Sequence, residues 1–145
     1  SNNAVLKGEI IDLIGNVLGY HEGISKYTIG QRRGLGVVTG SPMFVVDIDN
    51  DSNQVILGSN DDLFKKELIA SDLNWIYMDT LEDEMEVTVK IRSTSKEVNG
   101  KIFPTKQNGV RVIFNEKQRA ITKGQSVVFY KDDIVVGGGI IDKSI

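Results

Sequence analysis

Apolar and polar residues alternate with a period of two through much of this chain, the signature of half-buried β-strands rather than helices. The clearest case is Glu84–Arg92, where Val87, Val89 and Ile91 point one way and Thr88, Lys90 and Arg92 the other. Val110, Val112 and Phe114 alternate in the same manner with Arg111, Ile113 and Asn115. Turn-forming residues punctuate the pattern. Gly15–Asn16 separates the strand candidates Gly8–Ile14 and Val17–Tyr20, and Asp49–Asn53 separates Met43–Ile48 from Gln54–Leu57. Asn60–Asp61–Asp62 reads as a helix N-cap with acids in the first turn, predicting one short helix over Asp61–Lys65. Glu67–Ile76 is the next strand candidate, and Asn99–Gly100 and Asn108–Gly109 read as hairpin turns. Ser126–Tyr130 and Ile134–Ile141 are joined by the Lys131–Asp132–Asp133 turn, and Gly137–Gly138–Gly139 predicts a bulge or a close backbone approach.

Short strands at this spacing predict a mainly β protein. A small β-rich domain with a Gly/Arg loop is expected over residues 1–66, followed over residues 67–145 by a six-stranded antiparallel β-barrel. Closure would remove exposed sheet edges from the second domain. No internal repeat or low-complexity segment interrupts the chain.

Composition narrows the chemistry. The 145 residues include 15 Gly, 2 Pro and no Cys, so a disulfide, a thiolate nucleophile and a Cys-based zinc site are excluded within this sequence. There is no apolar run of membrane-spanning length and no signal peptide, which predicts a cytoplasmic setting without membrane association. Ser1–Asn2–Asn3–Ala4 reads as an expression remnant with a few native residues. The net charge of −3 conceals a segregation: Asp47–Glu86 holds 12 acids and 2 bases, and Lys90–Lys131 holds 10 bases and 2 acids. That imbalance fits a polyanion-facing surface in the second half, and also a solvated barrel rich in lysine.

Few residues offer catalysis. His21 is the only histidine, and it has neither a second histidine nor a metal-ligand spacing, so it reads as a structural hydrogen-bonder. Asp47–Asp51 lacks the glycine and the closing glutamate of a calcium loop, since those positions hold Ser52 and Gly58. No catalytic residue and no metal ligand is expected. Binding is better represented. Tyr20–Gly36 sets Gln31, Arg32 and Arg33 among four glycines, a combination that suits a phosphate oxygen but matches no nucleotide-binding loop. Lys90 and Arg92 end a strand just before the polar stretch Ser93–Lys96. Thr122–Ser126 forms a second polar corner, in which Gln125 offers both a donor and an acceptor to a base edge or ribose hydroxyl.

The string Gly15–Gly23, continued by Tyr27–Thr28–Ile29–Gly30–Gln31–Arg32–Arg33–Gly34–Leu35–Gly36, resembles the central domain of the tRNA-specific 2-thiouridylases, which are tRNA-uridine 2-sulfurtransferases. Pro42–Asp47 is similar to the strand that follows in that family. Gly124–Tyr130 and Gly137–Ile141 resemble the end of its C-terminal barrel. The resemblance implies a central domain plus C-terminal β-barrel that bind and position tRNA. The full-length parent would use ATP with magnesium to thiolate the wobble uridine of Lys, Glu and Gln tRNAs. Its ATP site and catalytic cysteines would lie in an N-terminal domain upstream, where a sulfur-relay protein would also dock. The fragment alone would need no cofactor and perform no catalysis. The family's barrel contacts to tRNA map to Arg92, Ser93 and Gln125, with a small residue at Ser93 where some relatives carry an aromatic. The alternative is a free-standing β-barrel adaptor that binds RNA or protein.

Overall fold

A computed structural model describes residues 6–145; the N-terminal remnant expected at Ser1–Ala4 lies outside them. The chain divides into two compact units between Phe64 and Lys65. The division sits two residues before the expected one because the strand predicted at Glu67 already begins at Phe64.

The first unit is a mixed four-stranded sheet. Its strands are β1 (Gly8–Asp12), β2 (Val17–His21), β3 (Phe44–Asp49) and β4 (Gln54–Gly58), in the order β2-β1-β4-β3. β1 and β4 pair in parallel, and the two hairpin pairs are antiparallel. Ile10, Leu35, Val45, Val55 and Leu57 form the core. The β1–β2 connection is wider than the two-residue turn expected from Gly15–Asn16, running from Leu13 to Asn16. The cause is Asp12, whose carboxylate accepts hydrogen bonds from the backbone of Ile14 (3.1 Å) and Asn16 (2.8 Å) and from the Asn16 amide (3.0 Å). Desolvation pushes the Asp12 carboxyl up. The bonds from Asn16, Ile14 and Gly15 more than offset it and hold the group below its usual range.

The helix expected at Asp61–Lys65 is a single 3-10 turn over Asn60–Leu63, capped by Ser59 rather than Asn60. Ser59 and Asp62 form a capping box, which satisfies the first turn without Asn60. Phe64 and the residues after it are drawn into the next strand instead of extending the helix.

The second unit is a closed six-stranded antiparallel barrel built from β5 (Phe64–Trp75), β6 (Met85–Lys90), β7 (Val98–Pro104), β8 (Val110–Arg119), β9 (Ser126–Lys131) and β10 (Ile134–Ser144). The strands close in the order β10-β5-β8-β7-β6-β9. The inward side chains are those marked by the alternation: Val87, Val89 and Ile91 from β6 and its end, Val110, Val112 and Phe114 from β8, and Val127 and Phe129 from β9. Asn99–Gly100 is not a turn. Both residues lie within β7, with Gly100 facing Val87 on one side and Phe114 on the other. A Cβ at Gly100 would sit 3.0 Å from the Ile113 carbonyl oxygen, so this glycine serves close strand approach rather than reversal. The reversal occurs upstream, in the Ile91–Glu97 connection.

Asp132 and Asp133 both adopt positive φ (52° and 67°), the two-residue turn that joins β9 to β10. The glycine triplet in β10 meets both descriptions given by its sequence. The register shifts on either side of it, and a Cβ at Gly138 would lie 2.6 Å from the Val127 carbonyl oxygen.

Candidate nucleic-acid interface

Antiparallel strands alternate in direction, so the barrel connections sort onto two ends. The β6–β7 and β8–β9 connections share one end; the β5–β6, β7–β8 and β9–β10 connections share the other. Arg92, Ser93, Arg119, Lys123 and Gln125 therefore belong to the same end of the barrel, although 33 positions separate the first from the last.

Arg92 ties the two connections together. Its guanidinium donates to the carbonyl oxygens of Arg119 (2.8 Å) and Ala120 (3.2 Å). Ala120 holds a positive φ of 58°, and its carbonyl also accepts from the Thr122 hydroxyl at 3.0 Å. The β6–β7 connection is fixed in turn by Ser95, whose hydroxyl accepts from the Arg92 N–H and donates to the Arg92 carbonyl. The β8–β9 connection is anchored to β10 by Gly124 N–H on the Ile141 carbonyl (2.7 Å) and Ile141 N–H on the Gln125 carbonyl (2.9 Å). The Ser93 and Gln125 side chains are exposed on this framework, and Lys90 lies alongside at the end of β6, opposite Val128. A fixed backbone with exposed donors and acceptors loses little entropy when it meets a ligand.

The ten cations of the basic stretch are not all at this end. Lys101 pairs with Glu84 at 3.6 Å, and Arg111 pairs with Glu67. Lys106 sits on the β7–β8 turn and Lys131 at the end of β9, both at the opposite end. The end that carries Arg92 keeps Lys90, Lys96, Arg119 and Lys123 as further cations, and Lys117 stands on β8 two positions before Arg119.

The Gly/Arg loop belongs to the first unit, and backbone bonds pin it to β3: Gly30 N–H to the Val45 carbonyl (2.8 Å) and Val45 N–H to the Gln31 carbonyl (2.9 Å). Gln31 spends its amide on the loop itself, accepting from Thr28 N–H (3.0 Å) and donating to the Arg33 carbonyl (2.9 Å). It shapes the loop that displays Arg32 and Arg33, both exposed. Gly34 and Gly36 take positive φ (69° and 75°), which lets the chain turn tightly after the arginines. A shallow groove of about 430 Å³ follows, with Arg32 at its rim and Leu35, Val37 and Met43 in its lining.

His21 is 1% exposed and structural in its geometry. Its Nδ1 accepts from Gly23 N–H (3.0 Å), which leaves Nε2 to donate to the Asn53 carbonyl (2.8 Å). Tyr27 packs edge-on against the ring, with its hydroxyl held above the usual range by burial and by the nearby Glu22 carboxylate. Among the described residues no three His, Asp or Glu side chains are placed to hold a metal, and no helix is long and apolar enough to cross a membrane.

Residues 65–141 match the family profile of the aminomethyltransferase β-barrel domain, and residues 2–59 match that of the tRNA methyl transferase PRC-barrel domain. The chain is 57% identical over 143 residues to the tRNA-specific 2-thiouridylase MnmA of Clostridium beijerinckii, covering 99% of this chain and 40% of that protein. It is 53% identical over 145 residues to the protein of that name from Clostridioides difficile, covering 100% of this chain and 40% of the relative. The chain thus spans about 40% of the length of the curated relatives it matches. With both units matched and more than half of its residues identical to those of these relatives, the chain belongs to the tRNA-specific 2-thiouridylase family.

Proposed function

We propose that these two units grip and position tRNA for a 2-thiouridylase whose chemistry is carried by the remainder of the polypeptide. The observation that supports this most is the Arg92 bridge. One guanidinium organises two connections whose exposed residues include Lys96, Lys123, Ser93, Thr94 and Gln125, with Glu97 as the one acid. Such a surface suits the phosphates and ribose hydroxyls of RNA. Arg92, Ser93 and Gln125 form its centre and Lys90 lies beside it; within the first unit, Arg32 and Arg33 on the Gly/Arg loop are phosphate contacts of their own. Gln31 acts by shaping that loop.

Uridine activation requires ATP with magnesium, and sulfur delivery requires a thiol. The residues of this chain fit neither: its sequence has no nucleotide-binding loop and no cysteine. Both functions belong to the remaining portion of the family's polypeptide, as does the docking of a sulfur-relay protein. The expected substrates are the wobble uridines of Lys, Glu and Gln tRNAs, in the cytoplasm. The alternative adaptor reading gains nothing from the Arg92 bridge, which presents a surface for a polyanion.

The test has two arms. Supplied with ATP, tRNA and a sulfur source, the purified chain forms no thiouridine above background. In a filter-binding or fluorescence assay it holds tRNA weakly, near the non-specific range of roughly 10⁻⁴ to 10⁻⁶ M, and the affinity falls as salt rises. Thiouridine formation by this chain, or affinity indifferent to salt, would contradict the proposal.

A further inference from the structure

The groove beside the Gly/Arg loop offers more than a phosphate contact. Residues 31–43 form neither strand nor helix, and they bend so that Arg32, Leu35, Val37, Val38 and Met43 line one groove of about 430 Å³. Its floor is fixed. Leu35 is buried in the core of the first unit, and Val37 and Met43 pack against that core. Val37 is further seated by Gly19 of β2: a Cβ at Gly19 would lie 2.6 Å from Val37 Cγ1, so the missing side chain lets the valine rest on the strand. The volume falls within the roughly 300–1,000 Å³ of small-ligand sites, which are apolar clefts with a few polar groups that orient the ligand.

A second observation concerns charge and is independent of the groove's shape. Residues 23–46 hold three bases, Lys26, Arg32 and Arg33, and no acid, whereas the rest of residues 6–64 holds eight acids and one base. Arg32 and Arg33 form no ion pair among the described residues, so no carboxylate of the protein neutralises them. None of the backbone N–H groups of residues 34–41 donates to another described residue. An apolar floor, a cation at its rim and a row of open donors fit one kind of ligand: a flat apolar face with acceptors along its edge and a negative charge at one end.

We infer that the groove takes one unpaired nucleotide of RNA, with its base against Leu35, Val37 and Met43 and its phosphate on Arg32. A base inside a duplex has both faces covered and cannot enter, so the site selects a looped or single-stranded segment. Apolar contact with a base face tolerates any of the four bases, since each has such a face. A protein segment would use the floor and leave the arginine without a partner. Inorganic phosphate would use the arginine and leave the floor bare. A nucleotide uses both. The inference rests on the reading that this chain meets RNA, and adds to it the form of RNA that the first unit takes and the residues that take it.

The test titrates the isotope-labelled 145-residue chain with uridine monophosphate, uridine, ribose phosphate, inorganic phosphate and N-acetyl-leucine amide, and reads the backbone amide shifts of residues 34–41 by NMR. Uridine monophosphate should move these amides, and ribose phosphate should bind about tenfold more weakly because it lacks the base. Arg32→Gln should weaken uridine monophosphate about tenfold and leave uridine unchanged, since only the phosphate contact is lost. Val38→Asp changes a wholly exposed side chain, so the fold is kept; its carboxylate on the groove should remove the nucleotide shifts. Shifts as large with inorganic phosphate or ribose phosphate overturn the inference, because an anion alone then binds. Shifts as large with the leucine amide overturn it in favour of a protein partner. Uridine monophosphate that binds both variants as it binds wild type overturns it as well. No shift with uridine monophosphate overturns it and leaves salt-sensitive tRNA binding standing. Nucleotide shifts in the groove with no tRNA binding would uphold the site and contradict the proposed function, so the two fail separately.

Discussion

The two ends of the barrel are built from the same six strands and differ in what their connections carry. At one end the β6–β7 and β8–β9 connections bring Arg92, Lys96, Arg119 and Lys123 together with Glu97 as their one acid. At the other the β5–β6 connection carries Asp79, Glu82, Asp83 and Glu84 with no base, the β9–β10 turn adds Asp132 and Asp133, and only Lys106 of the β7–β8 connection and Lys131 at the end of β9 stand against these six acids. The strands between are indifferent to this, since their inward faces are uniformly apolar. Stability and surface charge are thus written in separate places: alternate strand positions fix the barrel, and the connections give it an electrical direction. A polyanion approaching such a barrel is repelled from one end and drawn to the other before any hydrogen bond forms.

Removing the shared wall should abolish both ends at once. Phe129 is fully buried and stacks with Trp75 at 5.8 Å between ring centroids. Phe129→Ala should cost about 3–5 kcal/mol of stability, measured by urea denaturation, and tRNA binding should disappear with the fold. A variant that stays folded to the same urea concentration would show that this ring is not central to the core.

Charge changes should separate the ends without unfolding either. Replacing both Arg119 and Lys123 by Ala should weaken tRNA binding and reduce the salt slope by about two, one unit for each phosphate that is no longer neutralised. Replacing Glu82 and Asp83 by Gln and Asn at the far end should leave both the slope and the affinity nearly unchanged. Equal responses at the two ends would mean that the barrel has no preferred face for RNA.

Gln125→Ala removes no charge. It should leave the salt slope alone and weaken binding by about 1 kcal/mol, the net value of one hydrogen bond. A change of slope in this variant would show that the β8–β9 connection had moved.

The smallest effect lies outside the barrel and serves as its control. Asp12 titrates below its ordinary value of 3.8 when folded, so the stability that its hairpin bonds contribute is fully present above that value. It is lost as pH falls through the lower native pKa. The protection of the Ile14 and Asn16 amides, read as the exchange rate relative to the intrinsic rate at each pH, should fall only in that acid range, with protection in the barrel strands unchanged there. Loss of that protection well above pH 3.8 would assign it to something other than Asp12.

The barrel was largely legible in the sequence because its signals are local. Val87, Val89 and Ile91 alternate within one strand, and Asp132–Asp133 turns within two residues. The errors were local too. Asn99–Gly100 has the composition of a turn, yet Gly100 is needed where the Ile113 carbonyl approaches, and nothing in its immediate neighbours reports that distant approach. Asn60 resembles a cap, but Ser59 and Asp62 complete a capping box one position earlier. The Arg92 bridge was not legible, because it reaches carbonyls 27 and 28 positions away through a left-handed Ala120 that no residue preference marks. The sequence and its family resemblance make Arg92 an expected RNA contact. The geometry adds that the same side chain also holds the β8–β9 connection in place.

That double role makes Arg92 the most direct test. A salt titration of tRNA binding should compare wild type, Arg92→Lys and Arg92→Ala. If Arg92 organises the basic end, Arg92→Ala should bind more weakly at every salt concentration, with a slope lower by about one. Arg92→Lys should keep the wild-type slope but lose affinity, because an ammonium cannot span both carbonyls as the planar guanidinium does. Affinity and slope identical across all three proteins would make Arg92 an ordinary surface residue and would contradict the assignment of this end of the barrel to RNA.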